Sequence, residues 1–275
     1  MLIIIAVILG IVQGLTEFLP VSSSGHLAAI QSLFFKNLDF FKNFDIAFDV
    51  ALHFATLIVI CIFFRKRIGK LIKSLVRIFS KEKTEEEASS LKLIGFILLG
   101  SIPTALIGFG LKHFIEGFMD NITYIGIALL MTGILMLLPD RLKKEEPRFK
   151  LGLWDALIIG IVQGIAVIPG ISRSGSTIST GLLRNLEKET AFEFSFLLSI
   201  PAIAGATLLS ALDIDLSLLT GEYISVFITG IITGIVFGYI GVAVLARIVK
   251  KNKLSYFSYY CFGLGLVLII LNVMK

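Results

Sequence analysis

The sequence predicts an all-α integral membrane protein with about six spanning helices and two re-entrant helical hairpins, arranged as an inverted-topology repeat. Composition points there first. Of 275 residues, 56% are hydrophobic and only 16% charged, with mean hydropathy +0.93. A soluble domain carries roughly 25% charged residues. A duplicated motif points there next. Ala6–Gly14 reads AVILGIVQG and Ala156–Gly164 reads ALIIGIVQG, each followed by a polar, serine-rich stretch. Gln13 and Gln163, like Gly25 and Gly175, stand 150 residues apart.

A bilayer-crossing helix needs roughly 20 apolar residues. Runs of that kind lie at 46–64, 93–112, 122–139, 191–211, 223–246 and 255–274. The stretches 1–30 and 152–184 are also apolar, but each is broken. Pro20 and Ser22-Ser23-Ser24-Gly25 interrupt the first; Pro169, Gly170 and Ser172-Arg173-Ser174-Gly175 interrupt the second. Irregular backbone at membrane depth survives only when covered by protein or a wet cavity. Both stretches are therefore expected to enter and leave on one side.

Basic residues gather at Arg65–Lys92, Arg141–Lys150 and Arg247–Lys253, whereas 212–222 carries Asp213, Asp215 and Glu222. The positive-inside rule puts the basic loops in the cytoplasm and both termini outside. Lys81–Glu87 is expected to be a solvated helical loop without chemistry. Each half then holds one hairpin and three spans, so the second half (about 151–275) runs inverted to the first (about 1–150) within one membrane domain, 1–275. Sites in such folds lie where the repeats meet. No basic leader precedes the first apolar stretch, so no cleavable signal peptide is expected. Cys61 and Cys261 fall in separate apolar runs and are expected to be two buried thiols rather than a disulfide. The net charge of +5 reads as membrane orientation, not nucleic-acid binding.

Polar groups inside apolar sequence are expensive and functional by default. Gln13 and Glu17, four apart, share a helical face, flanked by Gly10 and Gly14, which admit a close helix. Ser22, Ser23, Ser24 and Gly25 follow a helix break, where hydroxyls and free amides cradle an anion or simply cap the next helix. Ser172, Ser174 and Gly175 repeat the pattern. Arg173 carries a guanidinium fork that fits two phosphate oxygens; a structural salt bridge to Glu17 is the alternative. Thr177 sits one turn on as a secondary donor. His26, beside Ser23 and Glu17, is a candidate general base, general acid or nucleophile. His53 is expected to pair with Asp49 one turn away, with Glu193 at a similar point of the second half; both read as structural or rim residues. His113 reads as interfacial. No zinc-site spacing, P-loop or Gly-x-Ser-x-Gly elbow is present.

Gln13–His26 (QGLTEFLPVSSSGH) and Pro169–Thr177 (PGISRSGST) resemble the paired motifs of the undecaprenyl-diphosphate phosphatase, or bacitracin-resistance, family, as does Glu193–Pro201 (EFSFLLSIP). The similarity spans nearly the whole chain. It implies a plasma-membrane hydrolase that removes the terminal phosphate of a C55 polyprenyl diphosphate and so recycles the cell-wall lipid carrier. It also implies interdigitated inverted repeats with a site open to the extracytoplasmic face. By motif position Glu17 and His26 match catalytic residues, Ser23 a hydroxyl, Arg173 the phosphate-binding arginine, Thr177 a polar neighbour and Gln13 a Glu-or-Gln position. Members often carry Tyr-Arg in the last span, where this chain has Tyr260-Cys261.

The expected chemistry follows. Arg173 and the Ser172–Gly175 backbone neutralise the phosphates. Glu17, with Gln13, holds a divalent cation, Mg²⁺ or Ca²⁺. The nucleophile is Ser23 activated by His26, His26 itself, or a water. A lipid-phosphate flippase would use the same midplane anion site and is the competing reading; a channel is disfavoured, since no span repeats a polar face. The pattern leaves room for a homodimer.

Overall fold

The computed structural model describes residues 1–35, 39–80, 82–111, 121–142, 146–212, 221–250 and 254–274. The expected positions His113, Lys81, Asp213 and Asp215 lie outside these residues, as do 143–145 of the second basic loop and 251–253 of the third. Eleven helices account for most of what is described: α1 Leu2–Phe18, α2 Ser23–Ile30, α3 Asp39–Phe63, α4 Arg65–Val76, α5 Glu85–Gly110, α6 Ile122–Arg141, α7 Leu153–Ile165, α8 Arg173–Leu183, α9 Lys188–Leu212, α10 Gly221–Lys250 and α11 Ser255–Val273. No strand occurs among the described residues; an isolated bridge joins Arg148 to Leu186.

Six helices (α3, α5, α6, α9, α10 and α11) are long and apolar enough to cross a membrane. They match the six predicted runs and extend past most of them. The extension has local causes. α5 starts eight residues before its apolar run because Thr84 and Glu87 form a reciprocal capping box (Glu87 N to Thr84 Oγ1 3.2 Å, Thr84 N to Glu87 Oε2 3.1 Å). The expected helical loop at Lys81–Glu87 is corrected accordingly: residues 82–84 are not helical, and Glu85–Glu87 form the first turn of a span. Outward-facing side chains such as Leu106, Ile232 and Ile270 remain exposed, as a lipid-facing surface requires.

The two broken stretches fold as helix–loop–helix hairpins. α1 stops because Leu19, preceding Pro20, is held extended (φ −61°, ψ 142°). The chain then turns through Ser22, at φ 68°, whose Oγ caps α2 by accepting from Gly25 N at 3.3 Å. In the second copy α7 ends at Ile165, Gly170 takes φ +95°, and Ser172 caps α8 through Gly175 N at 3.2 Å. The same device thus closes both loops.

Each hairpin packs mainly against the opposite half. α1 lies along α10, and α7 lies along α5; α3 meets α9, and α6 meets α11. Exchanging halves maps these contacts onto one another, which is the interdigitated inverted repeat. Glycine sets the spacing. A Cβ on Gly14 would stand 2.7 Å from Gly234 O, and one on its counterpart Gly164 would stand 2.8 Å from Ile107 Cβ. A Cβ on Gly160 would collide with the Gly100 carbonyl. Gly160→Ala is therefore expected to destabilise the protein by about 1–3 kcal/mol, the usual cost of overpacking. Gly95→Ala, on open helix surface, is expected to be neutral or stabilising. Thermal unfolding in detergent distinguishes the two signs.

Cysteine needs one correction. Both thiols are free as expected, but only Cys261 is buried; Cys61 faces outward on α3.

Candidate active site

The hairpin tips touch. Gly170 N donates to Ser22 Oγ at 3.1 Å across the two repeats, and Ser174 Oγ reaches the Leu19 carbonyl at 3.5 Å. Gly25 packs against Gly170 and Gly175 against Pro20, and a Cβ on either would stand only 3.1 Å or 3.0 Å from that neighbour. Thr132 of α6 clips the second tip, donating to Gly170 O and accepting from Ser172 N, both at 3.0 Å. Thr132 is a single hydroxyl in an apolar span, and nothing in the sequence sets it apart.

This junction brings the two charged halves together. Arg173 Nη2 donates to Glu17 Oε1 at 2.6 Å. Glu17 Oε2 accepts from Ser23 Oγ at 2.5 Å and from Gln13 Nε2 at 3.1 Å. Glu17 is 9% exposed and Gln13 0%. A carboxylate this buried requires a partner, and Arg173 supplies it. The guanidinium is braced from below by the Phe196 ring, 5.8 Å from its carbon. Phe196 is in turn packed by Phe18, Phe64 and Phe192. Thr177 holds the Arg173 carbonyl at 2.8 Å and meets the Ser195 hydroxyl at 2.5 Å, tying α8 to α9. Two buried atoms next to the charges have no hydrogen-bond partner among the described residues: Arg173 Nη1 and Gln13 Oε1.

A cavity of about 200 Å³ opens beside the pair. Glu17, Ser22, Ser23, Ser24, Ser172 and Arg173 line it, whereas Gln13, Gly25, Ser174, Gly175 and Thr177 stand behind the wall. The first turns of α2 and α8 supply the serines, so two helix N-termini contribute amides and partial positive charge at the same place. His53, Thr104 and Gln163 also line the cavity. Gln163 donates to Leu198 O at 3.2 Å and to Thr104 Oγ1 at 3.4 Å.

Two sequence expectations are corrected here. His26 does not hydrogen-bond Ser23. Its Nδ1 meets Ser22 O and its Nε2 meets Tyr260 Oη, each at 2.7 Å, with the two rings stacked. It is not among the cavity-lining residues. Nor does His53 pair with the Asp49 carboxylate: its Nδ1 bonds the Asp49 carbonyl at 3.0 Å, while Gln31 donates to the Asp49 carboxylate at 3.2 Å. His53 belongs to the cavity wall. Glu193 is structural as expected, pairing with Arg67 at 2.8 Å. Cys261, at the position where the resembled family often has arginine, points its thiol at the Pro20 carbonyl, 3.7 Å away.

A buried carboxylate–serine pair facing an arginine with a spare donor suits phosphoryl chemistry. The family model described as "Bacitracin resistance protein BacA" matches residues 6–267. The chain belongs to that family. Among curated relatives of this BacA-family protein, an undecaprenyl-diphosphatase of Treponema denticola is 43% identical over 265 residues, covering 96% of both chains. One from Desulfosudis oleivorans is 43% identical over 266 residues, covering 94% of both. Another from Methanosphaera stadtmanae is 39% identical over 283 residues, covering 98% of this chain and 97% of the relative.

Proposed function

We propose that this protein hydrolyses undecaprenyl diphosphate to the monophosphate and inorganic phosphate. The observation that carries the reading is the Ser23–Glu17–Arg173 line, drawn from both hairpin tips and set in the wall of a cavity. The relatives' printed name, undecaprenyl-diphosphatase, supplies the substrate. A flippase reading rests on the inverted repeat alone.

The residues divide the work as follows. Arg173 presents Nη1, unpartnered and buried, as a ready donor for a phosphate oxygen. When a diphosphate arrives, the guanidinium exchanges Glu17 for phosphate, which releases the carboxylate. Ser23 Oγ attacks the terminal phosphorus, its proton passes to Glu17 Oε2, and the bridging P–O bond breaks with its electrons leaving on the lipid monophosphate. Water then displaces the serine oxygen from phosphorus, Glu17 returns a proton to Ser23, and inorganic phosphate departs. Phosphoryl transfer is mostly positioning and charge stabilisation, so the arginine and the two helix N-termini carry most of the rate. His26, held by Tyr260, positions the first turn of α2 through the Ser22 carbonyl.

A divalent cation fits the donors present. Among the described residues no three His, Cys, Asp or Glu side chains cluster, but Mg²⁺ is commonly held by one or two carboxylates plus substrate phosphates. Glu17 and the unpartnered Gln13 Oε1 form such an oxygen set, for Mg²⁺ or Ca²⁺. When bound, the cation would offset phosphate charge.

The chain is one membrane domain of two repeats, about 1–150 and 151–275, set in the cell membrane. Basic side chains meet at one end, where Arg67 pairs with Glu193, Lys250 with Glu189, and Arg148 and Arg184 with Asp155. The positive-inside rule makes that end cytoplasmic and turns the site towards the outside.

The test uses purified protein and undecaprenyl diphosphate labelled on its terminal phosphate. Release of labelled inorganic phosphate, with acid-quenched label on Ser23, is expected. Tight binding without release overturns the phosphatase reading. Release with label on His26, or on no residue, overturns the Ser23 assignment alone.

A further inference from the structure

We propose that α4 is a membrane-surface helix that seats anionic phospholipid headgroups between Lys66 and Lys73. The helix has three distinct faces. One is pinned to the protein: Leu71 and Ser74 are buried, and Arg67 pairs with Glu193 of α9 at 2.8 Å. The second is apolar and uncovered. Ile72, Leu75 and Val76 are 58%, 49% and 79% exposed, and Phe79, just past the helix, is 95% exposed. Spacing of three and four residues puts Ile72, Leu75 and Val76 on one stripe. The third face is basic, with Lys66, Lys70, Lys73 and Arg77 recurring at the same intervals.

A helix with a bare apolar stripe beside a lysine row is built to lie in the plane of a headgroup layer, its apolar stripe in the acyl boundary. α4 follows directly on the span α3 and precedes the span α5, so its distance from the bilayer surface is fixed by the fold. The charge complement decides the occupant. Two neighbouring carboxylates are already ion-paired, Glu86 with Lys70 at 2.5 Å and Glu87 with Arg77 at 2.6 Å, and Lys73 adds only its longer-range field to both. Lys66 and Lys73 are exposed and form no ion pair among the described residues. They stand seven residues apart on one side, with Gly69 between them; nothing lies within 4 Å of where a Cβ on Gly69 would stand. Two exposed ammonium groups without an ion pair among the described residues, flanking open backbone at the edge of an apolar stripe, match a lipid phosphodiester with its acyl chains running down past Ile72 and Val76.

The partner is thus an anionic glycerophospholipid of the leaflet on the basic side. This seat is separate from the catalytic cavity, and it stands or falls independently of the phosphatase reading.

The experiment places a single tryptophan reporter on the stripe. Trp154→Phe removes the one native tryptophan, and Val76→Trp puts a reporter three residues from Lys73. Full-length protein is reconstituted into mixed phosphatidylcholine–phosphatidylglycerol vesicles in which either lipid is brominated, and quenching gives the relative affinity at the reporter. A control carries Ile232→Trp on the lipid-facing side of α10 instead. Phosphatidylglycerol is expected to be favoured at position 76 by about fivefold for each lysine, and not at position 232. The preference is expected to vanish in Lys66→Gln/Lys73→Gln. Equal quenching by the two lipids at position 76 overturns the proposal. So does an equal preference at position 232, or one unchanged after both lysines are neutralised.

Discussion

Arg173→Ala is expected to lower kcat/KM for undecaprenyl diphosphate by about 10³-fold, in the range measured when an arginine or oxyanion donor is removed from a transferring group. The reason lies in how the side chain is held. Nη2 is 2.6 Å from Glu17, Nη1 is buried without a partner, and Phe196 supports the guanidinium plane. Nothing else described at the cavity wall brings a fixed positive charge to the phosphates. Arg173→Lys is expected to recover little, because an ammonium is a point charge and cannot offer two parallel donors to two phosphate oxygens. The alanine variant also strands Glu17 as a buried, unpaired carboxylate, so a loss of stability of about 3–5 kcal/mol should accompany the kinetic loss. Steady-state phosphate release gives the first number and unfolding in detergent the second. Wild-type turnover in Arg173→Ala would remove arginine from the mechanism.

Glu17→Gln is expected to cut kcat by about 10²- to 10⁴-fold, the range for losing a positioned general base. KM should change far less. The substitution is isosteric, and the amide oxygen it introduces still accepts from Ser23, so the serine stays in place but loses its proton acceptor. Ser23→Ala should give a similar fall in kcat, for loss of the nucleophile. A Glu17→Gln enzyme that raises KM while keeping kcat would show that the carboxylate binds rather than reacts.

The sequence carried the spans because each is a run of apolar residues long enough to cross a bilayer, and burial in lipid leaves few other folds for such runs. It carried the hairpins because Pro20 and Pro169 stop a helix within apolar sequence, and the serines that follow start another. The Glu17–Arg173 meeting was legible from the inversion: two re-entrant tips entering from opposite sides have the midplane in common. What stayed hidden depends on which helix turns towards which. Ser23 and His26 are three apart and look like partners. Yet Ser23 opens α2 and reaches back to Glu17, while His26 finds Tyr260, 234 residues away. His53 looked paired with Asp49 because both lie on one helical face. In a helix its Nδ1 finds the Asp49 carbonyl instead, and His53 lines the cavity. Thr132 gave no signal at all, since one threonine in an apolar span is ordinary until a foreign loop is seen resting on it.

The central claim is that two inverted half-motifs make one site, with Glu17 and Arg173 acting as a unit. A double-mutant cycle on kcat/KM tests it most directly. The account predicts strong non-additivity: Arg173→Ala added to Glu17→Gln should cost less than about tenfold more, because the first change has already disabled the unit. If the two losses multiply, each residue works alone, and the single-site account is contradicted.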